Sequence, residues 1–210
     1  MPKHMSPDST QKALLVDFGG VLTTDIWSSF AAFCEQRGLD AGAAKQLFRE
    51  NPDALATLRG LETGEVEPAD FERRFAALLG TEPAGLVEGL FAGLQPDQPM
   101  LEAVGRARDA GVPTGLISNS WVMDHYTDEI RSLFDEVVIS AEVGLHKPQP
   151  EIYLLAAERL GVGPEDCVFV DDLRENCTGA EAVGMTAVLH RDAAETISRV
   201  EELLGVQLVA

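Results

Sequence analysis

Four short stretches of this 210-residue chain combine residue types that can do chemistry with neighbours that would hold them still. In Val16-Asp17-Phe18-Gly19-Gly20 an acid leaves an apolar run into a Gly-Gly turn, and the glycines permit close approach to its carboxylate. Gly115-Leu116-Ile117-Ser118-Asn119-Ser120 brings a hydroxyl and an amide out together. Gly144-Leu145-His146-Lys147-Pro148 offers one cation. Val168-Phe169-Val170-Asp171-Asp172, with Asn176 beyond it, sets two carboxylates side by side. Adjacent acids repel unless hydrogen bonds or a cation offset the repulsion, and a hard divalent cation would account for both. Each stretch also has a plainer reading: Asp17 as a turn cap, Ser118 and Asn119 as helix N-caps, Lys147 as a solvated surface charge, one acid of the pair as a cap.

The elements that must position these groups are visible in the hydrophobic pattern. Short apolar runs at 13–18, 113–118, 136–140, 166–170 and 186–189 predict strands. Helical stretches at 150–160, 178–184 and 193–204 alternate with the later ones. That alternation predicts an α/β fold: a Rossmann-like, mostly parallel sheet with helices on both faces. The four chemical stretches then fall at strand ends, the edge where open parallel sheets bind ligands. Residues 25–95 break the rhythm. They show only helical periodicity, as in Ile26, Phe30, Phe33 and Cys34, then Phe71, Phe75, Leu78 and Leu79. We expect an all-helical cap insert at 25–95 over a core built from 11–24 and 96–210, preceded by a polar, flexible tail at 1–10.

Composition narrows the partners. Sixteen Lys and Arg against 35 Asp and Glu leave a net charge of −19, which repels nucleic acid and anionic membrane surfaces. Screening over about 8 Å still lets a local cationic pocket hold a small anion. No apolar run reaches the roughly 18 residues of a membrane span. Cys34, Cys167 and Cys177 are odd in number and lack metal-ligand spacing; with no secretory h-region at the N-terminus, they predict a reducing cytoplasm. His4, His125, His146 and His190 are scattered and make no zinc pattern. Asp17-Phe18-Gly19 spells a kinase triplet without the loops that give it meaning, and neither a G-x-S-x-G elbow nor a dinucleotide fingerprint is present.

Taken in order, the four stretches resemble the motifs of the haloacid dehalogenase-like hydrolase superfamily, and the resemblance runs from Ala13 over nearly the whole chain. The resemblance implies that Asp17 is a nucleophile that becomes an aspartyl-phosphate, and that Lys147 neutralises charge beside it. It implies that Ser118, Asn119 and Lys147 hold the phosphoryl group of a small anionic phosphorylated substrate. A Mg2+ ion would sit on Asp17, the carbonyl of Gly19 and Asp171, with Asp172 and Asn176 in support. The insert would be a C1-type cap. One residue departs from the usual phosphatase pattern. Most such phosphatases carry an acid/base Asp two positions after the nucleophile, where this chain has Gly19. A lost acid/base typically costs 10²–10⁴ in rate. Three readings therefore stay open: a phosphatase for substrates that need little leaving-group protonation, a dehalogenase- or phosphonatase-like hydrolase, or a catalytically silent phosphate-binding module. In the first, His146, Asp25 or a cap residue is a candidate substitute acid.

Overall fold

The computed structural model describes residues 12–121 and 126–209; the polar tail at 1–10, His4 and His125 lie outside these. Five strands, β1 (Ala13–Val16), β2 (Thr114–Ser118), β3 (Glu136–Ile139), β4 (Cys167–Asp171) and β5 (Thr186–Leu189), form one parallel sheet in the order β3-β2-β1-β4-β5. All five lie where the apolar runs predict them. The four-residue length of β1 suffices because all four of its side chains are buried.

Alternation along the strands builds two cores. Leu14, Val16, Leu116, Val168 and Val170 face one side, and Ala13, Leu15, Ile117, Cys167 and Phe169 face the other, as the two-residue strand period requires. The helices are α1 (Ile26–Gln36), α2 (Ala43–Glu50), α3 (Pro52–Glu62), α4 (Pro68–Leu79), α5 (Leu86–Phe91), α6 (Gln98–Asp109), α7 (Asp128–Arg131), α8 (Ser140–Val143), α9 (Pro150–Leu160), α10 (Arg174–Ala182) and α11 (Ala193–Leu204). Helices α6 and α11 cover the first face through Met100, Val104, Ile197 and Val200. Helices α9 and α10 cover the second through Ile152, Tyr153, Ala157 and Ala180.

Helices α1–α5 gather a third cluster, in which Phe30, Phe33, Phe48, Phe71, Phe75 and Leu90 are buried together with Trp121. Thr23 and Pro96 form an isolated antiparallel bridge where the chain leaves and rejoins the sheet. Trp121 follows β2, so the loop after that strand plugs into the helical cluster; its ring meets Phe91 edge-on at 5.3 Å.

Helix α10 starts four residues earlier than the periodicity indicates. Arg174, Glu175 and Asn176 dilute the apolar period, but Asp171 Oδ1 accepts the N–H of Leu173 at 2.9 Å and satisfies an otherwise unpaired donor beside the helix start. The helix then packs close: a Cβ on Gly179 would stand 2.8 Å from the carbonyl of Pro148, so a side chain there would push the Lys147–Pro148 loop away.

Candidate active site

The strand order places a topological reversal beside β1, and the chemical residues collect at that carboxyl edge. Asp17 follows β1, Ser118 ends β2, Asp171 ends β4, and Lys147 enters from the loop after β3 and α8. The structure brings all four stretches together. Lys147 Nζ is 2.7 Å from Asp17 Oδ1 and 2.7 Å from Asp171 Oδ2, and all three residues are buried. A buried lysine held between two carboxylates is not the solvated charge of the plainer reading.

Its loop is fixed from two directions. Lys147 N–H donates to Asn119 Oδ1 at 2.7 Å, and Asn119 Nδ2 donates to the Lys147 carbonyl at 2.9 Å. Below it, Tyr153 Oη donates to the carbonyl of Asn176 at 2.8 Å and ties α9 to α10. The amide of Asn119 is therefore committed to the lysine loop. Ser118 Oγ accepts from Tyr126 Oη at 2.9 Å, and both residues line the same cavity as Asp17. Tyr126 carries no periodic or motif signal in the sequence; only the fold brings it to Ser118.

The two acids of the tandem pair differ. Asp171 Oδ1 accepts from Leu173 N–H and Asn176 Nδ2, while Oδ2 accepts from Lys147 and again from Asn176 Nδ2, at 2.7–3.0 Å. Four contacts occupy the four lone-pair sites of that carboxylate. Asp172 is half-buried and lines the cavity. Its Oδ2 would lie 2.7 Å from a Cβ on Gly20, whose φ is +77°, so only glycine fits that turn. Asp17, Asp171 and Asp172 each offer an oxygen within 4.8 Å of the others, a hard donor set that suits a hard cation.

Electrostatics agree. Burial pushes the Asp17 carboxyl up to about 7; Lys147 opposes the rise, and Asp171 and Asp172 add to it. Burial and the neighbouring Asp171 lift Asp172 to about 6. Burial acts to lower Lys147, but the Asp17 and Asp171 carboxylates outweigh it and hold the ammonium charged. Three acids around one lysine leave an excess of negative charge that a divalent cation would offset.

The cavity above these groups measures about 230 Å³. Ile26, Trp27, Phe30, Leu58 and Leu94 give the cavity that Asp17 and Lys147 line an apolar share. Arg59 and Glu65 are exposed and lie outside the lining, whereas Glu62 is part of it. Glu62 has a sequence signal in hindsight. On α3 the buried stripe runs Ala54, Thr57 and Leu61, and Leu58 lines the cavity, yet the position one turn after Leu58 carries an acid. Lys45 is exposed on α2, with Nζ 5.3 Å from the Trp27 ring centroid, and does not line the cavity.

A family model described as haloacid dehalogenase-like hydrolase matches residues 11–184. The chain belongs to this hydrolase family. The chain is 39% identical over 184 residues to the phosphatase-named YhcW of Bacillus subtilis, covering 82% of this chain and 70% of that protein. It is 29% identical over 205 residues to the sesquiterpene phosphatase astK of Aspergillus oryzae, covering 94% of this chain and 98% of that one. Bifunctional epoxide hydrolase 2 of Rattus norvegicus shares 31% identity over 119 residues, a match that spans 53% of this chain and 22% of that protein. The hydrolase fold also matches the HAD family enzyme bt-2542 of Bacteroides thetaiotaomicron, crystallised with magnesium and inorganic phosphate. The TM-score is 0.65 at 21% identity, over 86% of this chain and 94% of that one.

Proposed function

We propose that this hydrolase is a magnesium-dependent phosphatase that cleaves a small phosphomonoester with an apolar organic part, through an aspartyl-phosphate on Asp17. The observation that carries the reading is the buried Lys147 ammonium shared by Asp17 and Asp171 beneath an apolar cavity. In this reading 25–95 is a C1-type cap on a core of 11–24 and 96–210, and the cap supplies Ile26, Trp27, Phe30 and Leu58 to the organic part of the substrate.

Asp17 attacks phosphorus and forms the acyl phosphate, which water then hydrolyses. Lys147 orients the attacking carboxylate and offsets charge as two anions meet. Ser118 binds a phosphoryl oxygen, with Tyr126 setting its hydroxyl. Asn119 supports phosphate binding by fixing Lys147. Magnesium, when bound, supplies further positive charge where the anions meet. Asp17, the Gly19 carbonyl and Asp172 would hold it. The roles of the tandem acids thus exchange relative to the sequence expectation, because the lone pairs of Asp171 are engaged by Lys147, Asn176 and Leu173, while Asp172 faces the cavity. Asp171 and Asn176 then hold Lys147 in place. A dehalogenase reading has no use for the excess acid, and a phosphonatase reading needs a cap lysine in the cavity, where Lys45 is absent from the lining.

The test is hydrolysis of 4-nitrophenyl phosphate with magnesium and with chelator, for the wild type and Asp17→Asn. We expect magnesium-dependent turnover that falls at least about a thousandfold in the variant. Equal rates in the two proteins would overturn the nucleophile assignment. Aryl and isoprenoid phosphates should show KM values about tenfold or more below those of hexose phosphates, since burying an apolar group of about 60 Å² is worth about 1.5 kcal/mol.

A further inference from the structure

We propose that Glu62, at the end of α3, is the general acid and base of this hydrolase and stands in for the side chain that Gly19 lacks. The inference rests on the phosphatase reading and deepens it.

A phosphatase of this type needs a proton donor for the leaving oxygen and an acceptor for the attacking water. The other candidates are committed elsewhere. His146 Nδ1 is 2.8 Å from the Lys147 carbonyl, and the residue is not part of the cavity lining. Asp25 is exposed and caps α1, accepting from the N–H and hydroxyl of Ser28. Tyr126 donates to Ser118. Asp17, Asp171 and Asp172 form the acidic cluster around Lys147.

Glu62 differs from all of these. It lines the cavity with Asp17 and Lys147, and among the described residues its carboxylate has no hydrogen-bond or ion-pair partner. Lys147, Arg59 and Asp17 all act on it electrostatically. Its backbone is anchored: the Ser140 hydroxyl donates to the Glu62 carbonyl, and Ser140 Oγ in turn accepts from Ser120 N–H at 2.8 Å. Two residues on, Gly64 takes φ +75°, and a Cβ there would stand 3.1 Å from the Ala141 carbonyl. The tip of α3 is thus docked onto the loop after β2 and onto α8, two residues from Ser118. Burial lifts the Glu62 carboxyl to about 7 against Lys147 and Arg59, a range suited to giving and taking a proton near neutrality.

In the first step an Asp17 oxygen bonds to phosphorus as the bond to the ester oxygen breaks. That oxygen keeps the bonding pair and takes the proton of Glu62, leaving as the alcohol. In the second step water attacks phosphorus and gives a proton to the Glu62 carboxylate. The bond to Asp17 breaks, orthophosphate departs, and both acids return to their starting states.

The test compares 4-nitrophenyl phosphate, whose leaving group needs no proton, with benzyl phosphate, which is similar in size and leaves as an alkoxide unless protonated. Wild type, Glu62→Gln, Gly19→Asp and the double variant are assayed in magnesium. A Cβ at position 19 would meet only the Ile26 methyl at 3.2 Å, so the aspartate fits with a small shift. We expect Glu62→Gln to lower kcat/KM about a hundredfold or more on benzyl phosphate and less than about tenfold on 4-nitrophenyl phosphate. It should also show a burst of 4-nitrophenolate stoichiometric with enzyme, because hydrolysis of the acyl phosphate loses its base. Adding Gly19→Asp should restore at least tenfold on benzyl phosphate. Equal losses on the two substrates, or no loss, would overturn the role of Glu62 while leaving the phosphatase reading intact. Aryl phosphate turnover undiminished in Asp17→Asn would overturn that reading and this inference together.

Discussion

Asn119 holds the backbone of Lys147 on both sides of its Cα, accepting from the N–H at 2.7 Å and donating to the carbonyl at 2.9 Å. The two residues are 28 positions apart, on the loops that follow β2 and β3. The end of β2 therefore sets where the ammonium sits. A lysine side chain has about 2 kcal/mol of rotamer entropy to lose, which the Asp17 and Asp171 carboxylates offset, while the pinned backbone fixes where the side chain starts.

Asn119→Ala should destabilise the protein by about 1–3 kcal/mol, because it leaves the partly buried Lys147 N–H without a partner and the Lys147 carbonyl with His146 Nδ1 alone. For a chain of this size that is a drop in Tm of about 2–12 °C, read by thermal melting. Turnover of 4-nitrophenyl phosphate should fall at least tenfold. Unchanged melting and unchanged turnover would show that Lys147 keeps its place without this clamp.

The tandem acids should respond in opposite ways. Asp171→Asn removes one of the two carboxylates that face Lys147 and should lower stability by about 1–3 kcal/mol, since Lys147 keeps Asp17 but loses a buried charge-assisted hydrogen bond. Asp172→Asn removes a half-buried acid already lifted to about 6 and should leave stability in chelator unchanged or higher. It should also abolish the rise in Tm that we expect added magnesium to give the wild type. A magnesium-dependent rise in Asp172→Asn equal to that of the wild type would return the metal contact to Asp171.

Gly20→Ala tests how tightly the first turn is built around Asp172. The new Cβ would sit 2.7 Å from Asp172 Oδ2 at φ +77°. Strain at positive φ alone costs about 1–2 kcal/mol, and the carboxylate must also move. We expect a Tm loss of several degrees and weaker magnesium binding by titration calorimetry. An alanine accepted without either change would mean the turn has room that the geometry denies.

Stability should depend on pH through Glu62. Its carboxyl rises from 4.5 to about 7 on folding, so the folded chain holds this proton more tightly than the unfolded one. The stabilisation is full below pH 4.5 and is lost as pH climbs to about 7. Glu62→Gln cannot titrate, so the difference in unfolding free energy between variant and wild type should grow in the variant's favour by about 1–3 kcal/mol between pH 4.5 and 8. Urea unfolding at the two pH values measures it. A constant difference would place Glu62 in an environment as wet as the surface.

Asp17, Ser118 and Asp171 were legible because each stands at the end of an apolar run that must be buried, and a parallel sheet carries the ends of such runs to one edge; Lys147, seven residues past its strand run, was legible only through the resemblance of its Lys-Pro stretch. The helical stretch 25–95 was legible as helix for a similar reason: its apolar residues recur every three to four positions. Glu62 was legible only as an anomaly, an acid one turn after Leu58 on a buried stripe, because periodicity marks a face without saying what lies opposite.

Local pattern along the chain settled the strand set, the sheet type and the residues gathered at its carboxyl edge, since these follow from which side chains must leave water. Packing decided the rest. Which of two adjacent acids turns toward Lys147, that Asn119 serves the lysine backbone, that Tyr126 meets Ser118 and that Glu62 enters the cavity all depend on contacts between segments distant in the chain. No short-range preference encodes such contacts.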